Sequence, residues 1–355
     1  MFPISIRIFA GPSKTAFLDE ISARVHLLQL IHFHGEVMLI NQNWEHPDLH
    51  LVKTEGCYTI KGPLDTHEDL CIDIDMPLVI EGSVHAFSLD SKNTSIHISG
   101  HLHVREEIRI HGDLSCEGKI TSLNGRIVAD GSVHSGESCS ACVCIVAGGF
   151  ISAEEDLLSG GWISAGGNIS SGRKIVAKRE INSKSGGIFG EHGITSSEGS
   201  IEAFLYITSP KGFIFSAQDI LSHSGLIQGY LDIVAGDHFG IEGVSGIFTD
   251  GNLSGGWISS SDGPIIAKTI SSRKNIRAGL HIVSEAIRSG GSIMAGTSPK
   301  NCSSEKNLLI VCRSLEGDVL SGKPYFLLHG SDFPPSLRPS SIRQHGLPSW
   351  TSFLT

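Results

Sequence analysis

From residue 127 onward, one apolar residue recurs every six positions: Ile127, Val133, Cys139, Ile145, Ile151, Leu157, Ile163, Ile169, Ile175 and Ile181. The series continues as Ile188, Ile194, Ile201, Ile207, Ile214, Ile220, Ile227 and Ile233, with steps alternating between seven and six. A period this short, kept for so long, has one physical meaning. Short strands stack into coils, and the chain is an all-β parallel β-solenoid.

Within each step the local pattern is apolar, variable, small, as in Ile151-Ser152-Ala153 and Ile163-Ser164-Ala165. In a strand, residues i and i+2 share a face. The aliphatic residue and the small residue therefore both point inward, and the middle residue points out. The small residue leaves room where the chain bends toward the next face. Gly149, Gly161 and Gly167 precede their aliphatic residues and are expected at corners, where glycine tolerates positive φ.

A looser ladder precedes residue 127: Ile72, Leu78 and Val84, then a polar gap at Asp90 that implies a loop or a slip of register, then Ile96, Leu102, Ile108, Leu114 and Ile120. After Ile233 the steps vary between five and eight, through Ile241, Ile247, Leu253, Ile258, Ile265, Ile270, Ile276, Ile282, Ile287 and Ile293. The expected organisation is an N-terminal α/β or β cap over 1–70, the solenoid over 71–296, and closing strands with a partly disordered Pro-rich tail over 297–355. In the cap, the apolar spacing from Phe17 to Ile31 predicts a helix. Beyond the solenoid, Leu308 to Cys312 and Tyr325 to Leu328 are expected as closing strands.

Two patterns bear on the cross-section. The unbroken six-residue steps favour three strands per coil, a triangular section, about twelve coils and a rod of roughly 55 to 60 Å. Between 181 and 232 a thirteen-residue unit places Gly186, Gly199, Gly212 and Gly225 at one offset. Taken as an equivalent corner in each unit, these glycines favour two faces there. The triangular form is the expectation for the whole. A longer repeat is also visible: LSGGWIS occurs at 158–164 and again at 253–259, and Ile175-Val-Ala-Lys178 is echoed by Ile265-Ile-Ala-Lys268. Both suggest duplication of a block of several coils.

The pattern Gly-x-Ile-x-Ala/Ser, seen at Gly149–Ala153, Gly161–Ala165 and Gly167–Ser171, resembles the bactofilin family of polymer-forming β-helices. The resemblance covers about residues 100 to 296. It implies a right-handed triangular core without an active site that assembles end to end into filaments. This chain departs by its longer core, its N-terminal segment and its Pro-rich tail, and a capped end cannot stack.

Composition narrows the function classes. The net charge of −10 argues against a nucleic-acid backbone or an anionic membrane as a nonspecific partner. No apolar run reaches the length of a membrane helix, and residues 1–11 lack the ordered regions of a signal peptide, so a cytoplasmic location is expected. The eight cysteines form no disulfide framework. Cys139, Cys142 and Cys144 are close in sequence, but Cys139 holds a ladder position, which makes it a small core residue rather than a metal ligand.

Other candidate residues lie off the inner ladder. His32 and His34, and His101 and His103, alternate on strands and are the metal candidates, against a preferred reading as outward strand residues. No cofactor is expected. Arg173, Lys174, Lys178, Arg179 and Lys184 are close enough to form a basic stripe, against a preferred reading as solvated, laterally paired corners. Trp162, Trp257, Phe189 and Phe215 flank ladder residues and should face outward, as contacts for a partner, a second copy or the chain's own tail.

The expected function is a non-enzymatic structural or scaffold protein that assembles through solenoid ends or exposed aromatics. The alternative is a carbohydrate-binding or carbohydrate-active β-helix. A hexapeptide acyltransferase would need a protruding catalytic loop, and the steps from 127 to 181 leave no room for one.

Overall fold

The computed structural model describes residues 37–44, 49–297 and 309–326. The helix expected from Phe17 to Ile31 and the Pro-rich tail lie outside the described residues. All regular structure among the described residues is β, and it forms a parallel solenoid of about thirteen turns. At about 4.8 Å per turn the rod is roughly 60 Å long.

The section is triangular, because each strand pairs with the third strand after it. Val84–Ala86 pairs with Leu102–Val104 on a first face. Ser88–Ser91 pairs with Ile108–Ile110 on a second. Ile96–Ile98 pairs with Leu114–Cys116 on a third. The third face is a separate 16-stranded sheet. The first and second faces join near the C-terminal end, where Ala286–Ala295 runs round the corner and pairs on both. Leu102 lies beside Ile120 and Ile194 beside Ile214, so a coil lengthens from 18 to 20 residues toward mid-rod, and it shortens again beyond, where Ile241 lies beside Ile258.

Three residues is the commonest strand length, and in most such strands the first and third are buried and the middle one faces out. Every ladder residue from Ile127 to Ile293 is buried, and together they form one continuous core from Ile40 to Cys312. Each buried aliphatic side chain stabilises the fold by about 1.5–3 kcal/mol, and stacking in register lets neighbouring coils share that burial. One outward region is an exception. On the third face near the C-terminal end, Ile266, Val283 and Val311 form a second small apolar cluster, flanked by Phe248 and Leu309.

Several expectations change in detail. The polar gap at Asp90 is neither a loop nor a missing rung. Leu89, five residues after Val84, is the buried rung, and Asp90 faces outward on the same strand. Ile72 holds the third, usually small, place of its strand, beside Ser91. Parallel pairing also runs past 71 and 296: Val37–Asn41 already pairs with Asp69–Asp73, and Leu309–Cys312 pairs with Lys323–Phe326.

The thirteen-residue unit spans two of the three faces rather than a whole coil. Gly186 and Gly225 precede strands of the third face, whereas Gly199 precedes one of the second and Gly212 one of the first. They therefore mark every second corner along the chain, not one equivalent corner. The two LSGGWIS copies do occupy the same two faces, five coils apart. Their phases differ, because Leu158 faces out and Leu253 faces in, and the second copy's corner is one residue shorter. The Ile175 and Ile265 echoes lie on different faces and are not part of that repeat.

The corner residues have a different physical basis from the one expected. Gly149, Gly161 and Gly167 do not adopt positive φ. At Gly161 a Cβ would overlap the carbonyl oxygen of Val143, one coil below, so close approach of the coils requires the glycine. The small inward residue also does more than leave space. Ser135, Ser183 and Ser216 donate their hydroxyls to Gly118, Gly167 and Gly199 carbonyl oxygens of the preceding coil, at 2.8, 2.7 and 2.7 Å. The corner carbonyls of Gly118 and Gly167 thereby gain a donor, which a buried polar group requires, and that of Gly199 gains a second beside the Gln218 N–H.

Candidate functional site

The outward residues of successive coils stack into axial columns, so surface chemistry in this fold is read along the rod. Charged residues are joined mainly from coil to coil. His111 and Asp130 are 2.8 Å apart, His223 and Glu202 2.6 Å, Lys92 and Asp73 3.3 Å, and Lys178 and Glu198 3.5 Å. Glu107 accepts from Arg109, two residues on in the adjoining strand, and from Arg126 one coil on, both at 2.9 Å.

The residues expected to form a basic stripe circle one coil instead. Lys174 lies on the first face, Arg173, Lys178 and Arg179 at the corners beside it, and Lys184 at the corner before the third face. Arg173 is 3.9 Å from Glu155. The four aromatic candidates are spread over all three faces. Trp162, 36% exposed, packs beside Cys144 on the second face. Trp257 lies on the same face with its indole over Gly240. Phe189 belongs to the third face. Phe215 belongs to the first, in an outward apolar column of Leu158, Val176, Thr195, Phe215 and Val234.

Cys139 points into the core, Cys142 is exposed at a corner, and Cys144 lies outward under Trp162, so the three thiols do not converge. Burial pushes the Cys139 thiol up to about 12 and the Cys116 thiol up to about 11. His32 and His34 lie outside the described residues. His101 and His103 diverge. The Nδ1 of His101 accepts the Lys119 backbone N–H at 3.0 Å, while His103 packs edge-on against His85 at 5.8 Å between ring centroids. Among the described residues no group of three or more His, Cys, Asp or Glu is arranged to hold a metal ion.

The contact between His85 and His103 belongs to a groove near the N-terminal end of the first face. Asp65, His85 and His103 stack there as one column. Phe87, Arg105 and Leu123 succeed one another along the adjoining corner, with His67 beside them. The groove between these columns measures about 510 Å³. Its Asp65 carboxylate lies 4.0 Å from His85 Nδ1, and the Arg105 guanidinium lies 5.7 Å from the Phe87 ring centroid. Among the described residues Arg105 makes that cation–π contact and no ion pair.

The chain matches no family model, no curated protein and no solved structure.

Nothing within one strand signals the groove. Its residues are one coil apart, so the sign is the spacing from Asp65 to His85 to His103, which becomes meaningful only once the coil length is known. A second groove of about 450 Å³ lies at the other end of the same face, lined by Thr269, Ser271, Arg288, Leu315 and Glu316. There Arg288 is neutralised by Glu316 at 2.7 Å. Among the described residues no helix is long and apolar enough to cross a membrane.

Proposed function

We propose that the protein is a non-enzymatic structural rod that associates through its C-terminal coil. The observation that carries this reading is the last strand of the first and second faces, Ser314–Ser321. It pairs with Ala286–Ala295 on one side, and among the described residues no strand pairs with it on the other. Its Leu320 is 68% exposed, and Leu315 and Val319, which hold inward ladder positions, are only partly buried. An edge strand with exposed apolar residues is a template for pairing with another chain.

The N-terminal end has a different closure. Leu51–Lys53 pairs antiparallel with Tyr58–Lys61 and blocks continuation of the parallel ladder on the third face. Head-to-tail stacking is therefore disfavoured. The geometry favours tail-to-tail pairing of two copies, with their edge strands antiparallel about a two-fold axis. The bactofilin resemblance fits the rod and the use of its ends, while the blocked N-terminal end favours a closed pair over a filament. The coil-to-coil ion pairs support a structural role, since they place surface charges where they join neighbouring coils.

Sedimentation velocity over a concentration series tests this reading. A monomer–dimer equilibrium is expected, and Leu320→Lys should abolish it without moving the melting temperature measured at dilutions where the wild type is monomeric. A protein that stays monomeric at every concentration, or a variant that associates as before, would overturn it.

A further inference from the structure

The first-face groove near the N-terminal end combines features that the rest of the surface keeps apart. Elsewhere Lys92, Lys178, Lys211, Arg126, Arg273 and Arg288 are paired with carboxylates. Here a guanidinium stands over an aromatic ring, faced by two imidazoles packed edge to face and a carboxylate. Asp65, His67, His85, His103 and Arg105 are all exposed, so their polar atoms are accessible to a ligand. We propose that this groove binds an oligosaccharide carrying one acidic sugar, laid along the rod axis.

The argument rests on three matches. Arg105 supplies one cation for one carboxylate, in the fork geometry that guanidinium offers carboxylates. The column of Asp65, His85 and His103 supplies donors and acceptors at every coil, suited to the hydroxyls of successive sugars. Phe87 and Leu123 supply apolar surface on the opposite wall for the C–H faces of the rings.

Spacing favours a sugar chain over a peptide. Coils recur about every 4.8 Å, close to the length of one linked pyranose. Side chains on one side of an extended peptide recur about every 6.6 Å and fall out of step with the columns. Overall charge limits the ligand's acidity, because a protein of net charge −10 repels a polyanion. A mostly neutral chain with one carboxylate avoids that repulsion. The groove at the far end of the face serves as an internal contrast, because Glu316 already occupies the guanidinium of Arg288.

The proposal goes beyond the structural reading and is tested independently of association. Isothermal titration calorimetry would use a xylo-oligosaccharide bearing one glucuronate, the same oligosaccharide without it, and an acidic peptide of matched length. Binding of the glucuronate-bearing probe is expected, with at least about a ten-fold loss for Arg105→Gln, the size of one charge-assisted hydrogen bond. Arg288→Gln should leave that binding unchanged, and both variants should melt with the wild type. Absence of binding by the acidic oligosaccharide would overturn the proposal. So would equal binding of the unsubstituted one, equal binding of the peptide, or indifference to Arg105→Gln.

Discussion

The two ends of the rod use the same coil and finish it differently. At the N-terminal end the antiparallel strand Leu51–Lys53 lies on the third face, and Met38, Trp44, Leu49, Leu51 and Met76 pack against the core. At the C-terminal end the ladder stays parallel through Ser314–Ser321 and Lys323–Phe326. Leu315 and Val319 are only partly buried there, in positions that are sealed elsewhere. A coil in mid-rod is covered on both sides by its neighbours. A terminal coil needs another element, either from its own chain or from a partner. The contrast extends to the surface of the first face, where Arg105 makes no ion pair among the described residues and Arg288 is paired with Glu316.

The change expected to have the largest effect removes the contrast altogether. Ile169 is fully buried in mid-rod, and Ile169→Asp would place a carboxylate inside the column. A loss of more than about 4 kcal/mol is expected, read as loss of the β-sheet circular dichroism signal. Survival of the signal at the wild-type melting temperature would mean that the ends are held independently of the middle.

A smaller effect should separate the ends. Trp44 is partly buried against the N-terminal core, and Trp44→Ala should cost about 1–3 kcal/mol. At dilutions where the protein is monomeric its melting temperature should fall, whereas Leu320→Lys at the other end should leave it in place. Equal shifts for the two variants would erase the distinction between a closed and an open end.

The smallest effect concerns thiol exposure and pH. Cys139 is fully buried in mid-rod and Cys312 is buried in the penultimate coil. In mild denaturant Cys312 should be alkylated well before Cys139, because an open end unravels first; mass spectrometry of quenched samples reads the order. The same thiols set a pH trend. With folded values near 12 for Cys139 and 11 for Cys116 against an ordinary 9.0, the unfolded chain releases those protons first as pH rises. Their linked contribution to stability is therefore full below pH 9 and declines between about 9 and 12. Urea midpoints across that range should fall in the wild type and fall less in a Cys116→Ala variant.

The sequence carries the inner column plainly, because one aliphatic residue per strand repeats at nearly fixed steps and must be buried. It carries the triangular section less plainly. Leu89 breaks the six-residue step, and thirteen residues resemble a unit although they make two faces of a coil of about 20. Glycine and serine are visible as corner residues, but their jobs are not. Gly161 avoids a carbonyl from the coil below, and Ser183 donates to one, so both answer to a residue sixteen or more positions away. The groove was least legible. His101 and His103 alternate about Leu102 in the sequence, yet the neighbour of His103 is His85, a full coil earlier.

By itself the sequence determined that aliphatic rungs alternate with outward residues, since that pattern is local and every rung must leave water. Only the closed coil decided which outward residues become neighbours. Adjacency on the surface depends on the lengths of three corners added around each turn, and a change of one residue at a corner shifts it, as the opposite phases of Leu158 and Leu253 demonstrate.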